Sequence, residues 1–177
     1  MTTPIGIVCL SFGKRKEAYE PGPVNQRLAK VAEDIKLEFS PAVVVAQWEI
    51  ARQLEQDGTP ADLVVNLRNG SWRRGVRYLD TDDVLHEAFQ TFRHRGIKRV
   101  IVVAHPFYHL GSIQEKVRNA GFLIQEEFIP DIEMDNSNLN LQWWTRNKLL
   151  FLVYGGLVTV ADKVHVDLHG IGERKAT

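Results

Sequence analysis

The chain has 177 residues, a mass of 20.2 kDa, and 22 basic against 22 acidic side chains, so its formal net charge is zero. That length suits one compact domain, residues 1–177, burying roughly 70% of its extended surface without a disulfide or metal staple. Zero net charge argues against a nucleic-acid partner, and the single cysteine, Cys9, excludes an internal disulfide and suits a reducing compartment.

The N-terminus lacks a basic region and its apolar run is short, so no signal peptide is expected. The longest apolar stretch, Leu149 to Ala161, falls short of the about 20 residues a membrane span needs. It is expected to be a buried or half-buried element, and the protein to be cytoplasmic.

Strand and helix patterns alternate along the chain. Ile5 to Leu10 is a β-branched apolar run. Helical spacing of Leu28, Val31, Ala32 and Ile35 predicts a helix over about Asn25–Leu37. Pro41 to Val45 predicts a buried strand, Trp48 to Gln56 a helix capped by Gly58, and Leu63 to Val65 a third strand. Asn66 to Tyr78 reads as an arginine-rich loop. Val84, Leu85, Ala88, Phe89 and Phe92 form one apolar stripe, predicting a helix over Asp80–Arg95, capped by Asp80 or Thr81 and ended by Gly96. A strand is predicted at Arg99–Val103. Ser112-Ile-Gln-Glu115 has the form of a capping box for the helix that ends before Gly121. Phe122 to Glu126 predicts a fifth strand, Gln142 onward a last helix, and Val164 to Leu168 a terminal strand.

Near-continuous apolar strands between amphipathic helices imply a parallel sheet covered on both faces. The expected fold is α/β: a Rossmann-like three-layer sandwich with a mostly parallel sheet of about five strands. Ligands of such sheets bind beyond the carboxyl ends of the strands. That rule singles out the loops after the first four strands.

The first of these loops, Ser11-Phe-Gly-Lys-Arg-Lys16, has one glycine and is neither a dinucleotide fingerprint nor a P-loop. Gly13 permits a tight turn, and Lys14 and Arg15 either hold an anion or form a solvated charge run. The third loop carries Arg68, Arg73, Arg74 and Arg77, with Trp72 among them and Asp80, Thr81, Asp82 and Asp83 following. Its arginines present planar forks to phosphate or carboxylate, or neutralise the neighbouring acids. The fourth, Ala104-His-Pro-Phe-Tyr-His109, offers His105 and His109 as acid–base groups or metal ligands. His165, Asp167 and His169 alternate and would share one face of a strand. Cys9 reads as inert core, and no Gly-x-Ser-x-Gly elbow is present.

The order of segments resembles the SanA/ElyC/YdcF family of uncharacterised Rossmann-like proteins linked to bacterial envelope barrier functions. Leu10-Ser-Phe-Gly13 and Arg27-Leu28 stand where members carry a glycine-rich turn and an Arg-Leu pair. Val43-Val-Val-Ala-Gln-Trp-Glu49 corresponds to the strand leading into a Glu-initiated helix, and Thr81 and His109 fall at the Thr-x-x-Asn and His-x-x-Arg positions. The second residues of those two pairs are replaced by Val84 and Ser112. The resemblance implies a polar cluster of Arg27, Glu49, Thr81 and His109 at the carboxyl edge. Family members often begin with a membrane anchor, and none is expected here.

The expected function is binding of a small anionic ligand, nucleotide-like or phosphorylated; if there is chemistry, a hydrolase or transferase step is the expected kind. The binding candidates are Ser11, Gly13, Lys14, Arg15, Arg27, Arg73, Arg74, Thr81 and Asp82. His109 is the first candidate for general acid or base, followed by Glu49 and His105. No metal site and no particular cofactor is specified. Two alternatives stand. One is a non-catalytic interaction protein, for which Trp143 and Trp144 fit either a core or the interface of a homo-oligomer. The other is a chelatase-like metal or tetrapyrrole enzyme built on the histidine-bearing loop.

Overall fold

A computed structural model describes residues 3–14, 20–73, 76–108, 110–125 and 131–163. Among the described residues, five strands form one sheet: β1 (Ile5–Cys9), β2 (Ala42–Gln47), β3 (Leu63–Val65), β6 (Arg99–Val103) and β7 (Leu123–Ile124). Their spatial order is β3-β2-β1-β6-β7, and every pairing is parallel. The registers Ile5↔Ala42 and Ile5↔Arg99 align β1 with both neighbours along its full length. Parallel neighbours need crossovers, and four helices supply them: α1 (Pro23–Glu38), α2 (Trp48–Gln56), α3 (Thr81–His94) and α4 (Leu110–Asn119).

All five residues of β1 are buried, because both faces of the sheet are covered. Ile5, Ile7 and Cys9 point into one apolar layer with Leu28, Ala32, Ile50 and Leu54 of α1 and α2. Val8 and Leu10 point into the other, with Val84, Leu85, Ala88 and Phe92 of α3 and Val117 of α4. Alternation of side chains along a strand divides the core into these two layers. The result is the expected three-layer α/β sandwich.

Local signals explain the helix ends. Pro23 starts α1, where its missing N–H costs nothing. Asp80 caps α3: its Oδ1 accepts from the Asp83 N–H at 2.8 Å, while the Asp80 N–H donates to Asp83 Oδ2 at 3.1 Å. Gly96, with φ +68°, takes the left-handed position after α3.

Several expectations are revised. The arginine-rich loop contains a hairpin, β4 (Ser71–Arg73) with β5 (Val76–Tyr78), paired antiparallel with Trp72 opposite Arg77. Residues alternating between aromatic or β-branched and arginine suit such a ribbon as well as a loop. α4 begins at Leu110, so Ser112 lies inside it rather than at its cap. β7 is shorter than expected. The last helical segment divides into a 3₁₀ turn (η1, Trp143–Thr145) and α5 (Lys148–Lys163). α5 exposes Leu149, Leu152 and Val153 rather than burying them. No helix among the described residues is long and apolar enough to cross a membrane. The segments Val164–Leu168 and His165–His169 lie outside the described residues.

Gly6 lies at the middle of the sheet beneath Phe92. A Cβ at Gly6 would lie 2.8 Å from Phe92 Cζ. Gly6→Ala is therefore expected to destabilise the protein by about 1–3 kcal/mol through overpacking. Urea denaturation of Gly6→Ala, Phe92→Leu and the double variant checks this. The double variant is expected to lose less than the sum of the two single changes.

Candidate functional site

Because the sheet is entirely parallel, the carboxyl ends of all five strands lie along one edge. The chain runs outward from β1 to β2 and β3 on one side and to β6 and β7 on the other, so β1 and β6 flank the topological switch point. The loops after β1, β2 and β6 and the start of α3 meet at this edge.

The turn after β1 is held by side chains from two other elements. The Ser11 N–H donates to Gln47 Oε1 at 3.2 Å, and the Phe12 N–H to Asn25 Oδ1 at 2.8 Å. Asn25 Nδ2 donates in turn to the Gly13 carbonyl at 3.3 Å. Asn25 is 1% exposed, so its amide is committed to this turn. Gly13 has φ +79°, and a Cβ there would lie 3.2 Å from Asn140 Nδ2 and 3.3 Å from Thr145 Oγ1. The positive φ demands glycine, and the space for a side chain is tight.

Phe12 is buried, and its ring stacks on His105 with centroids 4.1 Å apart and planes 10° from parallel. His105 is fully buried. Its Nε2 lies 3.0 Å from the Ile132 carbonyl, and its Nδ1 accepts from the Phe107 N–H at 3.2 Å. The carbonyl can only accept, so the ring proton sits on Nε2. Burial pulls the His105 pKa down to about 4, against a smaller upward pull from the Ile132 carbonyl. Both nitrogens are thus engaged by the fold. This arrangement suits positioning better than proton transfer at neutral pH.

A second polar group sits beside the aromatic stack. Thr81, the first residue of α3, has its Oγ1 3.0 Å from the Tyr108 hydroxyl. Burial raises the Tyr108 pKa most; the Glu49 and Asp80 carboxylates raise it further, and the bond to Thr81 opposes them. Glu49 is buried in the first turn of α2. The structure therefore joins Thr81, beside its Asp80 cap, to Tyr108, with the Glu49 charge acting on the phenol.

The remaining candidates come from several elements. Asp82 is exposed and pairs with Lys116 of α4. Arg27 is exposed on α1, and Arg73 lies on β4 opposite Val76. Lys14 is at the β1 turn, where its carbonyl accepts from the Leu141 N–H at 2.7 Å. Arg15, Arg74 and His109 lie outside the described residues. Cys9 is fully buried, and burial pushes its thiol up to about 12, as suits inert core. Among the described residues, no group of three or more His, Cys, Asp or Glu is placed to hold a metal.

Segment 131–151 crosses this edge. Ile132 meets His105, Leu141 meets Lys14, and the Phe151 ring lies 5.6 Å from Phe12. Trp144 is buried and stacks on Tyr154 at 4.4 Å, which makes it core; Trp143 is half-buried and meets both rings edge-on. Sequence reasoning passed over Asn25, Gln47, Asp80 and Tyr108 as site residues. Tyr108 stands inside the His105–His109 motif, and its position there was the available signal. Asn25 and Gln47 carry no such signal, since only the folded chain brings them to the β1 turn.

The fold and this edge define a Rossmann-like α/β protein with a polar cluster at its switch point. No family model, curated protein or solved structure matches the chain.

His105 supplies a test of this arrangement. Its folded pKa lies below the value near 6.5 of an unfolded histidine, so the unfolded chain takes up the proton first as pH falls. Stability from this group is complete above about pH 6.5 and is lost as the pH drops toward about 4. The expected loss is on the order of 3 kcal/mol. Urea unfolding at pH 7.0, 5.5 and 4.5 should show a shallower loss in His105→Gln than in the parent protein.

Proposed function

We propose that the protein binds a small anionic ligand, nucleotide-like or a phosphorylated metabolite, in the crevice between the loops after β1 and β6. The observation that carries this reading is the strand order, which puts those two loops on either side of the switch point of a fully parallel sheet. Lys14 stands at the β1 turn, and Arg15, Arg27, Arg73 and Arg74 are the other groups proposed to meet the charge. The Ser11 and Phe12 amides already donate to Gln47 and Asn25, so recognition of the anion falls to side chains rather than to a backbone cradle. Such recognition weakens as salt rises.

If turnover accompanies binding, His109 is the proposed general acid or base and Glu49 the next candidate, in a hydrolase or transferase step. Kinship with the SanA/ElyC/YdcF family is part of the proposal. Arg27, Glu49, Thr81 and His109 at the family's spacing support it. A non-catalytic interaction protein is the second reading, favoured by the exposed Leu149, Leu152 and Val153 of α5.

A thermal-shift panel of nucleotides, S-adenosylmethionine, sugar phosphates, tetrapyrroles and divalent metals separates these readings. A ligand at about 100 times its Kd adds about 2.7 kcal/mol and raises the melting temperature by a few degrees at this size. One anionic class is expected to shift the parent protein, with the shift reduced in Lys14→Ala and His109→Ala. A panel without any shift would sink the ligand reading and favour the interaction protein.

A further inference from the structure

The proposed ligand has a charged end; the cluster around Tyr108 bears on its other end. Thr81 Oγ1 and the Tyr108 hydroxyl share one hydrogen bond of 3.0 Å. Two hydroxyls bring two protons and four lone pairs, and the shared bond uses one of each. Both residues are half-buried rather than sealed. The Tyr108 ring meets Phe12 edge-on at 6.0 Å and packs against both apolar layers, which fixes where its hydroxyl points. Thr81 comes from the start of α3, next to its Asp80 cap, and Tyr108 from the loop after β6, so two segments 27 residues apart in sequence meet here.

Charge at this point is also defined. Asp80 Oδ1 is held by the α3 cap, so Asp80 contributes field more than a free acceptor. The field of Glu49 and Asp80 acts with burial to keep the phenol protonated, hence a donor, at neutral pH. The same field disfavours an anion beside the phenol. A neutral group that can both donate and accept meets these conditions, and an alcohol does both through one atom.

We infer that Tyr108 and Thr81, whose hydroxyls meet at 3.0 Å, form a hydroxyl-recognition subsite that takes the sugar portion of the ligand. The inference rests on the anionic-ligand reading for the other end of the same molecule. It narrows that ligand to a phosphorylated sugar or a nucleotide, as against a phosphorylated acid or a simple anion. A site built to hydrogen-bond a substrate hydroxyl discriminates against the analogue that lacks it, because its own polar groups are then left without a partner.

Isothermal titration with ribose 5-phosphate, glucose 6-phosphate, their 2-deoxy counterparts, free ribose and inorganic phosphate tests the subsite. The proteins are the parent chain, Tyr108→Phe and Thr81→Val. Phenylalanine keeps the ring packing, and the second variant serves if the first does not fold. At least one sugar phosphate is expected to bind about tenfold tighter than its deoxy counterpart, with the preference lost in both variants. Inorganic phosphate is expected to bind the variants as it binds the parent. A preference that survives both variants, or inorganic phosphate binding as tightly as the sugar phosphates, overturns the subsite and leaves the anion reading standing. Free ribose binding as tightly as its phosphate, with loss in Tyr108→Phe, upholds the subsite and overturns the anion reading. Binding of inorganic phosphate without any sugar phosphate overturns the subsite alone, and silence from every probe overturns both.

Discussion

Parallel pairing of β1 on both of its edges is the constraint from which the rest of the structure follows. A parallel neighbour cannot be reached by a tight turn, so each pairing demands a crossover, and the crossovers here are helices. Those helices cover both faces, which is why every residue from Ile5 to Cys9 is buried and why Gly6 must leave room for Phe92. The same geometry sends every strand's carboxyl end to one edge. Loops far apart in the chain therefore meet there without any further device.

What meets at that edge is a set of polar groups already organised by the fold. Asn25 and Gln47 hold the backbone of the β1 turn, so its amides are occupied where a dinucleotide site would leave them for phosphate. Phe12 and His105 form a stacked pair beneath the turn, and His105 ties the β6 loop to Ile132. The division of labour is physical. Buried groups with both partners satisfied set position, while the half-buried Tyr108 and Thr81 are tied to each other by their hydroxyls.

The segment from Asp131 to Phe151 gives this edge its second boundary. It contributes no strand to the sheet and is held through Ile132, Leu141, Asn140 and Phe151, each meeting the loop after β1 or β6. Asn140 and Thr145 pack close to Gly13, so a side chain there would press on both. The left-handed turn and the packing of this segment thus depend on one another.

The sequence by itself determined the layers and the edge. Apolar runs such as Val43–Val45 and Val100–Val103, and the stripe Val84, Leu85, Ala88 and Phe92, encode strands and helices through periodicity. That is a local property which survives in one dimension. Caps at Asp80, Gly58 and Gly96 were legible for the same reason, since each acts within a few residues. The hairpin at Ser71–Tyr78 was missed because its alternation is weak beside its charge. Glu49 and Thr81 could be named in advance, whereas the bond between Thr81 and Tyr108 could not. The change of His105 from a candidate proton carrier to a buried, doubly bonded ring was equally hidden. Tertiary structure alone decided these, because hydrogen-bond partners such as Asn25 for Phe12 or Ile132 for His105 are set by distance in space, which sequence separation does not encode.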